Sequence, residues 1–91
     1  MANDLEPFRG KDYVIIAQGV NAMGNKFERR VYSGSGGGYH YDNLNGSRYD
    51  KYPDGSAYYE NGRGYERLID RDGKIYEKGR DGEWVYTGRQ L

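Results

Sequence analysis

The amino-acid sequence predicts an all-β fold: an antiparallel meander of about seven to eight short, tyrosine-rich strands. Three observations carry this expectation. Asn or Asp followed by Gly recurs at Asn45-Gly46, Asp54-Gly55, Asn61-Gly62, Asp72-Gly73 and Asp81-Gly82, at intervals of seven to eleven residues. Such dipeptides suit the two-residue type I′ hairpin loop, whose central residues both take positive φ. The runs between them are of strand length and rich in aromatic and β-branched residues. Helical spacing is absent, because no window of a dozen residues escapes a glycine or places apolar residues at i, i+3, i+4 and i+7.

The elements follow in order. Residues 1–11, with Pro7 and Gly10, read as a flexible N-terminal arm, and residues 12–91 as one domain. Asp12 to Gln18 forms a strand whose partner is Lys26 to Ser33, joined by a Gly-containing segment at Gly19 to Asn25, with a turn near Ala22 as the one place where helix could form. Ser33 to Gly38 is so rich in Gly and Ser that it reads as a flexible joint between two sheet segments. Strands are then expected over Gly38 to Leu44, Ser47 to Tyr52, Ser56 to Glu60, Gly64 to Asp70, Lys74 to Lys78 and Glu83 to Thr87. Tyr13-Val14-Ile15-Ile16-Ala17 is apolar at every position, so it is expected inside the sheet, with Phe27, Val31, Leu68, Ile69 and Ile75 as core neighbours. Closure into a small barrel, folding into a sandwich, or a partly single-layer sheet all fit this pattern.

Composition narrows the rest. The chain has 91 residues, 35% of them hydrophobic, against about 45–50% in an average globular protein. Eleven residues are Tyr and none is Cys, so no disulfide or thiolate site can staple a core this thin. Self-association is therefore a reasonable expectation. Fourteen basic residues balance fourteen acidic ones, with no basic run, which argues against duplex DNA as a partner. The N-terminal residues lack the charge and apolar pattern of a signal peptide, favouring an intracellular protein, and the longest apolar run is too short to span a membrane. Asn45-Gly46-Ser47 fits a glycosylation sequon but reads first as a turn.

No catalytic constellation is visible, and the expectation is a non-enzyme without cofactor or metal. His40 is the only histidine and lies between two tyrosines on a strand. Asp70 and Asp72 flank a turn, as acids beside glycine commonly do, and lack the twelve-residue loop of a calcium-binding EF-hand. Gly34 to Gly38 has no phosphate-loop lysine after it.

A sheet covered with Tyr, Trp and Arg instead suits binding. The first expectation is a protein-interaction module, using an aromatic face or an open strand edge. Trp84, Tyr86, Tyr58, Tyr59 and Tyr65 are the candidate face residues, with Arg63 and Arg67 as polar anchors, and Leu5, Pro7 and Phe8 are an arm that could dock on a partner. Single-stranded nucleic acid is the alternative, because Arg interleaves with Tyr at Arg48-Tyr49, Arg63-Gly64-Tyr65 and Tyr65-Glu66-Arg67. Carbohydrate is a third, with rings stacking on sugars.

Tyr39-His40-Tyr41-Asp42-Asn43-Leu44-Asn45-Gly46 followed by Tyr52-Pro53-Asp54-Gly55 resembles the tyrosine–aspartate repeats of bacterial Rhs-type shells. Tyr58-Tyr59 near Asn61-Gly62, and Trp84 near Gly88, are similar to cell-wall choline-binding repeats. Both resemblances rest on shared hairpin chemistry, and no functional residue is carried over from either.

Overall fold

The computed structural model describes residues 8, 10–80 and 82–91. Eight strands run in sequence: β1 (Tyr13–Val20), β2 (Lys26–Tyr32), β3 (Gly36–Asp42), β4 (Arg48–Lys51), β5 (Ala57–Glu60), β6 (Glu66–Ile69), β7 (Lys74–Lys78) and β8 (Trp84–Gln90). All pair antiparallel with their chain neighbours in one sheet, and β1 and β8 remain as edges. The expected all-β meander is thus an open single sheet, neither barrel nor sandwich. Its dimensions, 34 × 32 × 23 Å, are far thicker than a flat sheet, so the layer is strongly twisted and curled.

The hairpin turns differ in chemistry from the sequence expectation. Among the described residues none other than Gly has positive φ, so no Asn or Asp there occupies the left-handed position that a type I′ turn would demand. Most loops hold three residues and close with a glycine. Between β3 and β4, the Gly46 amide donates to the Asn43 carbonyl at 3.0 Å and the Asn43 amide to the Ser47 carbonyl at 2.9 Å. Gly46 then takes φ 88°, the left-handed residue after a type I turn. The Asn and Asp side chains act as acceptors that close the loop. Asn45 Oδ1 receives the Ser47 amide at 3.0 Å and Asp54 Oδ1 the Ser56 amide at 2.8 Å. Asp70 Oδ1 receives the Asp72 and Lys74 amides, both at 2.9 Å.

This turn imposes a nine-residue period that the dipeptide pattern obscured. Gly46, Gly55, Gly64, Gly73 and Gly82 are spaced nine apart, and all have positive φ. Asn61-Gly62 is not the repeating unit. Asn61 pairs through its amide with the Tyr65 carbonyl, which makes Gly64 the closing residue. Asp81 lies outside the described residues, but the Gly82 amide donates to the Gly79 carbonyl at 3.0 Å.

A three-residue loop has a residue at its centre, so cross-strand partners share parity. From β2 onward this holds throughout: Glu28 faces His40, His40 faces Asp50, Asp50 faces Tyr58, Tyr58 faces Leu68, Leu68 faces Tyr76 and Tyr76 faces Tyr86. Even-numbered strand residues therefore line one face and odd-numbered residues the other.

The core is small. Leu68 is fully buried on the even face, while Ala57 and Ile75 are buried on the odd face and Tyr32 at the even side of β2. The expectation for β1 is overturned: every one of its residues is exposed, with Val14 at 65%, Ile16 at 58% and Val20 at 62%. An edge strand of an open layer has a neighbour on one side only, and among the described residues no second layer covers its faces. Of its expected neighbours, Val31 is exposed and Phe27 and Ile69 are half-buried.

The Ser33–Gly38 run supplies the β2–β3 turn and the first residues of β3, with Gly36, Gly37 and Gly38 facing Tyr32, Val31 and Arg30. A Cβ at Gly38 would fall onto the Lys51 carbonyl oxygen and press on the Tyr32 ring. Leu5 and Pro7 lie outside the described residues. Phe8 packs on this chain itself, stacked on Tyr52 at 5.4 Å and edge-on to Tyr32 at 5.6 Å.

Truncation of Leu68 to Ala should destabilise the domain by about 3 kcal/mol. Val85→Ala, at a residue 62% exposed, should cost less than about 0.5 kcal/mol. Gly46→Ala tests the turn alone, because nothing lies within 4 Å of the added Cβ. It should still cost about 1 kcal/mol through positive φ. Urea denaturation measures all three.

Candidate functional site

The strict parity of the sheet gives two unlike faces. The even face carries a charge network that neutralises itself. Arg30 Nη2 lies 2.7 Å from Glu28 Oε1, and Arg30 Nη1 lies 3.4 Å from Asp50 Oδ1. His40 bridges two carboxylates, with Nδ1 2.7 Å from Asp50 Oδ1 and Nε2 3.2 Å from Asp42 Oδ2. The side chains of Arg30, His40 and Asp50 are each only 12% exposed. Farther along, the Tyr58 hydroxyl donates to Glu66 at 2.5 Å, and Lys78 Nζ lies 3.4 Å from Glu66.

Hydrogen bonding to the Asp50 carboxylate raises the His40 pKa above its ordinary value, with the negative charge of Asp50 acting in the same direction against the opposing effect of burial. A carboxylate beside each ring nitrogen favours the imidazolium, which donates through Nδ1 to Asp50 and forms an ion pair through Nε2 with Asp42. Neither nitrogen is left open to take a substrate proton, and the Ser47 and Ser56 hydroxyls already donate to Asn45 and Asp54 at 2.6 Å. Among the described residues no three His, Asp or Glu side chains converge to hold a metal ion. Nor is any helix there long and apolar enough to cross a membrane.

The odd face is aromatic. Phe27, Tyr41, Tyr49 and Tyr59 occupy one cross-strand row over β2 to β5, continued by Arg67 on β6. Ring centroids are 6.4 Å apart for Phe27 and Tyr41 and 6.3 Å for Tyr41 and Tyr49. Arg67 lies over the Tyr59 ring at 5.9 Å and Arg29 over Tyr39 at 5.7 Å. Tyr65 leans on Tyr59 at 6.4 Å and donates its hydroxyl to Glu77 at 2.5 Å. Burial, then the Glu77 carboxylate, raises the Tyr65 pKa.

These faces divide the residues expected from sequence. Tyr58, Trp84 and Tyr86 lie on the even face, and Tyr59, Tyr65 and Arg67 on the odd face, with Arg63 in the β5–β6 loop at its rim. They do not form one patch. Lys78 covers Trp84, 4.8 Å from its ring, and the buried indole N–H finds no acceptor among the described residues. Phe27 was expected only as a core residue and Tyr49 only in the Arg48-Tyr49 pair, and Tyr41 was not among the candidate face residues. Their signal was shared odd parity across neighbouring hairpins, which is readable only once the loop length is known.

The third feature is the outer edge of β1, which pairs with β2 alone among the described strands. Its eight residues carry no charge, and Val14, Ile15, Ile16 and Val20 are all exposed. The one irregularity is a bulge between Ile15 and Ala17. Comparison with protein-family models, curated proteins and solved structures finds no match.

The raised His40 pKa fixes the sign of a pH effect. Protonated His40 stabilises the fold fully below its unfolded pKa of about 6.5, and this contribution is lost as pH rises through the higher folded value. NMR titration should place the His40 midpoint above about 6.5, and the urea midpoint should fall over that same window. Asp50→Asn should lower the titration midpoint, flatten the pH dependence and cost about 2 kcal/mol at pH below the His40 midpoint.

Proposed function

We propose that this chain is a non-catalytic protein-interaction module that takes an extended segment of a partner along the open edge of β1. The observation that carries this reading is an eight-residue, uncharged edge strand whose side chains are exposed on both faces. Edge strands offer unpaired amides and carbonyls, and soluble proteins usually protect them with Lys, Pro or short length. Apart from its bulge, β1 has none of these. A partner strand would satisfy the backbone groups, and alternating apolar side chains on it would cover Val14 and Ile16 on one side and Ile15 and Val20 on the other.

The opposite edge is less suited to such pairing. β8 is interrupted at Gly88, with φ 80°, and ends in Arg89 and Gln90. An aromatic-face mode through Tyr58 and Trp84 is also less favoured, because the Tyr58 hydroxyl is held by Glu66 and Lys78 covers Trp84.

Ile15→Lys with Val20→Lys tests the proposal, since both positions are exposed and the fold should tolerate the change. Native extract passed over the tagged domain, after nuclease treatment, should yield a retained protein that the double variant loses while its circular dichroism is unchanged. Hydrogen exchange of the β1 amides should slow when the partner binds. Retention that is indifferent to the two lysines and leaves β1 exchange unaltered would refute edge binding.

A further inference from the structure

The overall charge balance conceals a division between the two faces. On the strand positions of β2 to β8, the even face carries Lys26, Arg30, Arg48, Lys74 and Lys78, with His40 beside them, against Glu28, Asp42, Asp50, Glu60 and Glu66. The odd face carries Arg29, Lys51, Arg67 and Arg89 against Glu77 alone. That lone carboxylate is engaged, accepting from the Tyr65 hydroxyl and lying 3.8 Å from Arg89. Even-face cations are largely paired with carboxylates. Arg29 and Arg67 instead lie over tyrosine rings, and the Lys51 ammonium donates to the Gly55 carbonyl.

We infer that the odd face is a binding platform for single-stranded nucleic acid, with Tyr41, Tyr49 and Tyr59 stacking successive bases and Arg29, Lys51 and Arg67 meeting the phosphates. The site lies on a different surface from the β1 edge and does not depend on it. Aromatic rings give sequence-tolerant stacking because every base has a π-face, and the Arg67 guanidinium over the Tyr59 ring adds a planar cation on which a base can also stack. The 6.3 Å between the Tyr41 and Tyr49 rings exceeds the ~3.4 Å rise of a stacked strand, so bases on these two rings would lie unstacked from one another. Of the Arg–Tyr pairs visible in sequence, Tyr49, Tyr65 and Arg67 belong to this face, whereas Arg48 points to the other. A shallow polar cleft of about 170 Å³ beside Tyr59, lined by Asn45, Ser47, Asn61 and Arg63, extends the platform at the loop end with hydrogen-bonding groups.

Net charge alone would not steer a nucleic acid here, since the positive odd face is offset by the net negative charge of the residues outside the strands, which brings the whole chain to zero. The attraction is short-range, within the Debye length of about 8 Å at physiological salt. Duplex is disfavoured because its bases are already stacked and cannot reach the rings.

Fluorescence anisotropy with labelled oligo(dT) and oligo(U) of about a dozen nucleotides tests this directly. About three phosphate contacts predict a salt slope near −2, so affinity should fall about twentyfold from 50 to 200 mM salt. Tyr49→Ala and Tyr59→Ala should each weaken binding about tenfold. Arg29→Gln and Arg67→Gln, at exposed positions, should weaken it and flatten the salt slope, while Glu77→Gln should tighten it. Arg48→Gln, on the even face, should change nothing, and neither should Ile15→Lys with Val20→Lys. Absence of any anisotropy change would overturn the inference, as would salt-independent binding. So would equal binding of heparin with no effect of the tyrosine substitutions, which would identify a general polyanion surface.

Discussion

Every later feature of this protein depends on the three-residue hairpin loop closed by a left-handed glycine. The loop turns the chain with one residue at its apex, and so each strand presents the same parity to the same side as the strand before it. With Gly46, Gly55, Gly64 and Gly73 at the loop ends, a shift by one residue in any hairpin would carry polar Asp50 or His40 to the aromatic face and Tyr49 or Tyr41 into the charge network. The glycine thus enforces the separation of faces as well as the path of the chain. Acceptors on Asn45, Asp54, Asn61 and Asp70 reinforce it by holding amides two to four residues ahead.

A single layer has little interior, and this chain compensates by curling and by making its sheet faces cohere laterally. Leu68 is the only large side chain buried completely among the described residues, flanked across the strands by Tyr58 and Tyr76. Around it the even face is held by contacts between neighbouring strands: His40 to Asp50, Tyr58 to Glu66, Lys78 to Glu66 and Tyr76 to Tyr86. Such cross-strand pairs are each modest, but they lie in a partly dehydrated, curled surface where charge-assisted bonds gain strength. Tyrosine suits this setting because its ring packs while its hydroxyl stays bonded or wet.

The consequence for function is that internal cohesion uses up one face and leaves other surfaces available. On the even face, opposite charges satisfy one another. The odd face keeps its cations near its rings, and β1 keeps an uncharged edge. The two surfaces are physically distinct, one offering backbone hydrogen bonds and apolar side chains and the other π-faces and guanidinium groups, so the two proposed binding modes would draw on different groups.

Much of this was legible in the residues themselves. Glycine turns, tyrosine-rich runs and the lack of helical spacing determined the all-β meander, because positive φ and side-chain alternation are local properties that any window of sequence displays. Even the nine-residue glycine period was present, masked by Asn61-Gly62, whose dipeptide signal is stronger than that of Arg63-Gly64 but whose position in the loop is different. What tertiary structure alone decided was burial. Tyr13 to Ala17 is the most apolar run in the chain and reads as core, yet it lies at an edge, because hydrophobicity states a preference for a neighbour and cannot supply one when the sheet ends there. Likewise the charges sum to zero along the chain, and only the register, which assigns Glu28, Asp42, Asp50, Glu60 and Glu66 to a single face, leaves the aromatic face positive.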